Sequence, residues 1–393
     1  MKNIKEMFIM VRVTKTTRGW SSPAKYYQGP GEIDKLPSYT ELFGKKVFAV
    51  IDPFFYKDLT ARLEKAYAGT GSEIKTFQYE FEVTDERIKK ISDSMKDYAP
   101  QVVIGIGGGK TLDTAKGVAD DLDAATIIVP TAASTDAPAI GLSVIYTEEH
   151  EHVRARFYVN DPDIVLVDSQ IIADAPVRFL VSGMGDALST VFEARANIKS
   201  DSANFVNAQA GGFRSTKSGR MIAELCYDIL MANGIKALYA AQNHVVTEAL
   251  EDVIEANVLM SGLGVENNGC AGAHSICEGI SILPELDVKT MHGEKVGFGT
   301  LCQMILENTP DDLIDEVIDF CGQIGLPLTL DDLFIPNTDE NVRAIAKHSF
   351  HSYWEREPFL VTEDDVFAAI KATDQMGREY RETYNIEPAY TRR

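Results

Sequence analysis

Two histidines and one aspartate stand out as residues that could do chemistry, because each sits among glycines and small apolar side chains. His274 lies in Asn-Gly-Cys-Ala-Gly-Ala-His-Ser-Ile-Cys-Glu-Gly (268–279), His292 in Met-His-Gly-Glu-Lys-Val-Gly (291–297), and Asp186 in Ser-Gly-Met-Gly-Asp-Ala-Leu (182–188). Three N/O donors leave a fourth tetrahedral position open to water or substrate, as a catalytic zinc requires. Separations of 88 and 18 residues are unlike a local metal motif, so spacing alone leaves a structural role for these histidines open. His348 and His351 read as a surface pair with no third ligand nearby. His150-Glu151-His152 reads as a polar hairpin tip rather than a metal site.

A second constellation is Val-Val-Ile-Gly-Ile-Gly-Gly-Gly-Lys-Thr-Leu-Asp-Thr-Ala-Lys (102–116). Its β-branched start reads as a buried parallel strand, and Leu112, Ala115, Val118 and Ala119 then recur at helical spacing. Gly107, Gly108 and Gly109 lack Cβ atoms, so backbone N–H groups and a helix N-terminus can approach a phosphate. A P-loop would need glycine at Ile104, so the Walker pattern fails. A dinucleotide fingerprint normally occupies the first βα turn, and here earlier βα units precede it. Nucleotide pyrophosphate binding is the favoured reading, and a glycine-rich packing turn the bland one.

Elements must carry these residues to one place. Lys45–Asp52, Ile74–Tyr79, the start of the glycine strip from Val102, Ala125–Thr131 and Asp163–Asp168 read as strands, with helices at Tyr56–Ala66 and after Thr84 between them. Ser143–Tyr146 and Ala155–Val159 read as a hairpin, Met7–Val13 as an edge strand, and the run from Tyr26 as turn-rich. Alternating strands and helices imply a parallel sheet covered on both faces. After Pro176 only long amphipathic patterns follow, at Met221–Ala232, Ile235–Met260, Asp311–Ile324 and Asp364–Tyr380. The expectation is α/β plus all-α: a Rossmann-like parallel-sheet domain over 1–176, then a helical domain over 177–393. Asp52 ends the first strand of the α/β part, where a carboxylate can accept hydrogen bonds from ribose hydroxyls and repel a 2′-phosphate. Asp136 lies on the loop leaving the fourth strand, at the carboxyl edge where ligands of open α/β sheets gather.

The 393-residue chain carries a net charge of −21, which argues against nucleic acid and anionic membranes. No apolar run approaches ~18 residues, the start lacks a signal-peptide core, and five scattered cysteines suggest reduced thiols. A cytoplasmic protein is expected.

Gly-Gly-Gly-Lys-Thr-Leu-Asp-Thr-Ala-Lys (107–116), Pro-Thr-Ala-Ala-Ser-Thr-Asp-Ala-Pro (130–138), Gly-Met-Gly-Asp-Ala-Leu (183–188) and His-Gly-Glu-Lys-Val (292–296) together resemble the glycerol dehydrogenase family, a zinc-using branch of the iron-containing alcohol dehydrogenases. The likeness runs in order over roughly residues 23 to 380. It implies an active site in the cleft between the two domains, with NAD and Zn2+ as cofactors and a small polyol as substrate. It also implies Asp186, His274 and His292 as metal ligands, and Gly109, Lys110 and Asp113 around the NAD phosphates with Thr131 and Ser134. Leu142 and Tyr146 would line the nicotinamide side, and Asp136 would meet the substrate. The family forms homo-oligomers. Two departures are visible: Cys277 where the family has a second histidine in His-x-x-His, and Ile140 where it tends to have serine. The rival is a dehydroquinate synthase-like lyase, or a dehydrogenase of a hydroxy acid or phosphorylated polyol. Lys289 and Lys295 are the only basic residues besides histidine between 262 and 300, too few for a phosphate-bearing substrate.

Overall fold

Short apolar runs ending at carboxylates or glycines build the strands that position Asp52 and the Gly-Gly-Gly turn. The computed structural model describes residues 16–149, 152–282 and 289–387. The expected strand Met7–Val13 and residues His150 and Glu151 lie outside them. Eight strands are present among the described residues: β1 Lys25–Gly29, β2 Lys46–Ile51, β3 Glu73–Gln78, β4 Val102–Gly107, β5 Ala125–Pro130, β6 Leu142–Tyr146, β7 His152–Phe157 and β8 Ile164–Asp168. Six form one parallel sheet in the order β1-β8-β5-β4-β2-β3, while β6 and β7 form the expected antiparallel hairpin. Helices α1 (Pro53–Tyr67), α2 (Asp85–Met95) and α3 (Gly109–Leu122) cross over between strands. Separate apolar clusters fill the two faces, one around Val47, Ile104 and Ile127, the other around Phe48, Val103 and Ala115.

The strand order reverses between β2 and β4, and that switch point is where ligands of open α/β sheets bind. Ile51 pairs with Ile106, and the Asp52 N–H donates to the Ile106 carbonyl at 2.9 Å. A Cβ at Gly107 would lie 2.8 Å from the Asp52 Cβ and 2.9 Å from that of Thr111, so glycine is required for strand, turn and helix to meet.

β1 corrects the turn-rich reading of the run from Tyr26. Its five residues pair with β8 at the sheet edge, and the Gly-Pro-Gly that dominated the local signal begins only where the strand stops. The preceding residues strap across the helical half, with Gly19 N–H donating to the Arg214 carbonyl and Ser21 exchanging hydrogen bonds with the Asn267 side chain.

The helical half begins with α4 (Val177–Ser200) and continues through α5 (Lys217–Gln242), α6 (Glu248–Glu255), α7 (Ser261–Asn268), α8 (Gly272–Ile280) and α9 (His292–Leu306). The expected helices Met221–Ala232 and Ile235–Met260 divide differently. α5 runs unbroken through Asn233-Gly234, because Gly234 lets the Phe320 ring and Met184 pack against the helix. The break comes at Asn243 and His244, the latter in the left-handed region at φ 55°. Between α6 and α7 the chain forms a π-helical turn, Ala256–Met260. No described helix is long and apolar enough to cross a membrane, and all five cysteines are buried and free.

Candidate active site

The glycines around Asp186 and His292 exist for backbone contact between helices. A Cβ at Gly293 would lie 1.8 Å from the Ser182 carbonyl oxygen, one at Gly185 2.2 Å from that of Gly293, and one at Gly183 1.9 Å from that of Ala133. With hydrogen in place of each Cβ, α4 meets both the start of α9 and the loop after β5. Asp186 and His292 therefore face each other across the seam, and α8 brings His274 to the same point. Asp186 Oδ1 lies 3.3 Å from His292 Nε2 and 3.6 Å from His274 Nε2. This oxygen is buried and accepts no hydrogen bond, while Oδ2 accepts the Asp136 N–H at 3.2 Å.

An unsatisfied buried carboxylate oxygen is costly unless something cationic faces it. Tetrahedral bonds of ~2.0–2.1 Å set ligand atoms roughly 3.3–3.4 Å apart, so the spacing of this donor set suits a zinc-like ion. Burial raises the cost of the Asp186 charge, yet the His292 and His274 rings hold its carboxyl below the usual range. Desolvation by its neighbours opposes charge on His292, although its side chain is 44% exposed, but Cys277 and Asp186 outweigh it and push the ring up to about 10.

Each histidine is held from its far side. His274 Nδ1 pairs with Glu193 Oε2 at 2.7 Å, and Glu193 Oε1 accepts the backbone N–H groups of Ala271 and His274 at 2.7 and 2.9 Å. Glu193 lies two helical turns beyond Asp186 on α4, so one helix supplies a candidate ligand and the carboxylate that aims another. That use of Nδ1 is the reason the second acidic group around His274, Glu193 with Cys270, reads as support rather than a metal site. His292 Nδ1 is 3.6 Å from Cys277 Sγ, so the thiol stands where an outer partner is needed. The His348 and His351 rings contact each other edge-on at 5.7 Å, as the surface pair expected.

Asp136 adjoins this cluster. Its Oδ2 accepts from Ser261 Oγ at 3.3 Å, and burial and the Asp186 carboxylate push its pKa up to about 7. Asn257, in the π-helical turn, donates to the carbonyls of Ala133 and Leu180 at 3.1 and 3.2 Å and thereby fixes the Asp136 loop to α4. π-Turns in helices often mark functional sites, because the extra residue rotates side chains out of the α-helical pattern. Sequence reading passed over Glu193, Asn257 and Ser261. An acid seven residues after Asp186 was the only signal available for any of them.

On the cofactor side, positions where Cβ atoms of Gly108 and Gly109 would stand are open for at least 4 Å. α3 starts there without a side-chain cap, leaving backbone N–H groups for an anion. Thr131 is buried beside this turn, its N–H donating to the Gly107 carbonyl, and the Ser134 carbonyl accepts from Ser182 Oγ. Lys110 is half-exposed and paired with Glu82. Asp113 is buried, and its carboxylate is committed to Lys116 and to the Val144 N–H rather than to the glycine turn. Leu142 joins the Ile140 and Phe205 cluster, whereas Tyr146 packs with Ile145 and Val83 on the sheet side.

Comparisons with known proteins bear on the family of the whole chain. The family model described as iron-containing alcohol dehydrogenase matches residues 23–169. The chain is 41% identical to the glycerol dehydrogenase of Citrobacter freundii over 366 residues, covering 91% of this chain and 98% of that protein. It is 38% identical to the glycolaldehyde reductase of Halobacterium salinarum, covering 93% of this chain and 100% of that one. The crystal structure of glycerol dehydrogenase from Schizosaccharomyces pombe superposes with a TM-score of 0.88 at 35% identity, covering 94% of each chain. With both the fold and the sequence matched over nearly its whole length, this chain is an alcohol dehydrogenase that belongs to the glycerol dehydrogenase family of the iron-containing alcohol dehydrogenases.

Proposed function

We propose that the protein catalyses NAD-dependent, zinc-dependent oxidation of a small polyol, in the simplest case glycerol to dihydroxyacetone. The observation that carries this reading is the unsatisfied Asp186 Oδ1 set between two imidazole nitrogens, with Asp136 beside it. Asp186, His274 and His292 would hold the metal, which when bound supplies Lewis acidity toward the substrate oxygens. Gly107–Gly109 and the α3 N-terminus hold the cofactor phosphates, with Thr131 and Ser134 on the neighbouring loop and Leu142 toward the nicotinamide. Hydride acceptance belongs to the cofactor, and the protein supplies orientation. In its ionised form, which a cation bound beside it would favour, Asp136 accepts hydrogen bonds from a second substrate hydroxyl and disfavours anionic substrates. Glu193 keeps His274 in the tautomer that presents Nε2.

A phosphate-bearing substrate is disfavoured. Lys295 is buried with its ammonium on Ser281 Oγ at 3.0 Å, Lys289 sits over the Phe334 ring, and Arg178 is bound to Glu294. The test is a panel of diols, triols, monoalcohols and hydroxy acids with NAD, and glycolaldehyde with NADH. Vicinal diols should far outpace monoalcohols. Asp136→Asn should shrink that preference by about 1–3 kcal/mol, the scale of a hydrogen bond to a charged group, with NAD affinity nearly unchanged. A hydroxy acid as best substrate would overturn the polyol reading.

Asp52 should set cofactor choice. Its Oδ1 caps α1 by accepting the Phe54 N–H at 3.0 Å, which holds the carboxylate at the switch point beside Gly107. NAD should be strongly preferred over NADP, and Asp52→Gly should relax the preference roughly 10- to 100-fold while costing only a few tenths of a kcal/mol as a cap. Equal use of both cofactors by the parent protein would refute the role.

A further inference from the structure

Lys116 is a buried cation that the proposed chemistry does not use. It is 4% exposed, and its ammonium donates to the carbonyls of Ala137 and Leu142 at 2.6 and 2.9 Å and faces Asp113 Oδ1 at 3.3 Å, so its three protons are spent. Asp113, one turn earlier on α3, accepts the Val144 N–H at 2.9 Å on its other oxygen and Ser143 Oγ on its carbonyl at 2.8 Å. Two side chains of the glycine-turn helix therefore grip the chain from 137 to 144 on both sides of Ile140-Gly141. Asp136 directly precedes this stretch, and Leu142 lies within it. A buried ion pair is seldom the most stabilising way to fill such a volume, since apolar side chains avoid the desolvation cost. What it does provide is one conformation for the turn that leads into β6, because its ammonium holds the carbonyls of Ala137 and Leu142 on either side of that turn.

We propose that Lys116 is a positioning residue for substrate selection: it ties the helix that receives the cofactor phosphates to the loop that presents Asp136 and Leu142. The proposal rests on the polyol reading of Asp136. The test measures metal-loaded enzyme with glycerol and with 2-propanol, NADH binding without substrate, and thermal unfolding. Lys116→Met should lower kcat/KM for glycerol by about 100-fold, the scale of an ångström-sized misplacement. The glycerol to 2-propanol ratio should contract at least about 10-fold, while NADH affinity changes by less than about 3-fold, because the helix N-terminus is left in place. Lys116→Met combined with Asp113→Asn removes the unpaired carboxylate, so it should recover stability but not the ratio. A folded variant with the parent ratio overturns the proposal, as does failure of both variants to fold, which would assign Lys116 to the core. If Asp136→Asn alone leaves the ratio unchanged, the substrate reading fails instead, whatever Lys116→Met does.

Discussion

Asp186→Asn should yield a folded protein that still binds NAD but retains almost no metal and almost no activity. Loss of an outer partner already weakens metal binding about 10–100-fold, so loss of the ligand itself should exceed that. Turnover should fall by roughly 1000-fold or more, because Lewis-acid assistance is worth several kcal/mol and each 1.36 kcal/mol is a factor of ten. The fold should tolerate the change. Asn keeps an acceptor for the Asp136 N–H, and the substitution removes a charge from a residue that is 1% exposed. A second readout needs no catalysis. Zinc at 100 times its Kd should stabilise the parent by about 2.7 kcal/mol, and the variant hardly at all. Full metal content in Asp186→Asn, measured by elemental analysis, would remove Asp186 from the ligand set.

The other large effect should come from a single methyl group. In Gly293→Ala the new Cβ would stand 1.8 Å from the Ser182 carbonyl oxygen and 2.6 Å from its carbon, both backbone atoms with no rotamer to yield. α4 and α9 would have to separate by roughly 1.5 Å to restore van der Waals contact, at a cost of about 3 kcal/mol or more. The same displacement would move His292 from Asp186, so metal affinity should fall together with stability. Gly297→Ala, one turn further along α9, is the control. Its Cβ would meet Leu326 Cδ1 at 3.4 Å, close to ordinary contact. There the better helix propensity of alanine should leave stability unchanged or higher by up to about 1 kcal/mol. Equal unfolding temperatures for the two variants would show that the helix seam is not the tight contact described.

Much of this protein could be read from its residues because the relevant forces act locally. Runs such as 102–107 are buried on both faces, so hydrophobicity and β-branching marked them as parallel strands. The Gly-Gly-Gly turn was recognisable because consecutive residues without Cβ atoms between an apolar strand and a helix mark a close approach, which at Gly107 is the meeting of Asp52 and Thr111. Asp186, His274 and His292 were identifiable as candidates for a related reason: glycine next to a polar residue signals a close approach. What approaches was not in the local pattern. The partner of Gly293 is a carbonyl 111 positions away, and the orphaned Asp186 oxygen acquires its meaning only once α4, α8 and α9 converge.

Where local and tertiary preferences disagreed, packing decided. β1 is a strand because β8 offers it a ladder, despite Gly-Pro-Gly at its end. α5 continues through Gly234 because Phe320 fills the space, a gain that exceeds the roughly 1 kcal/mol propensity penalty of glycine. Glu193, Asn257 and Lys116 looked like ordinary polar residues on helices. Their burial is tolerated only because partners between 21 and 124 residues away complete their hydrogen bonds. Residue type thus determined the kinds of chemistry available and the strands and helices to carry it. The tertiary structure decided which oxygen lacks a partner and which side chains orient His274 and His292, because hydrogen-bond satisfaction in a buried site depends on all the segments that meet there.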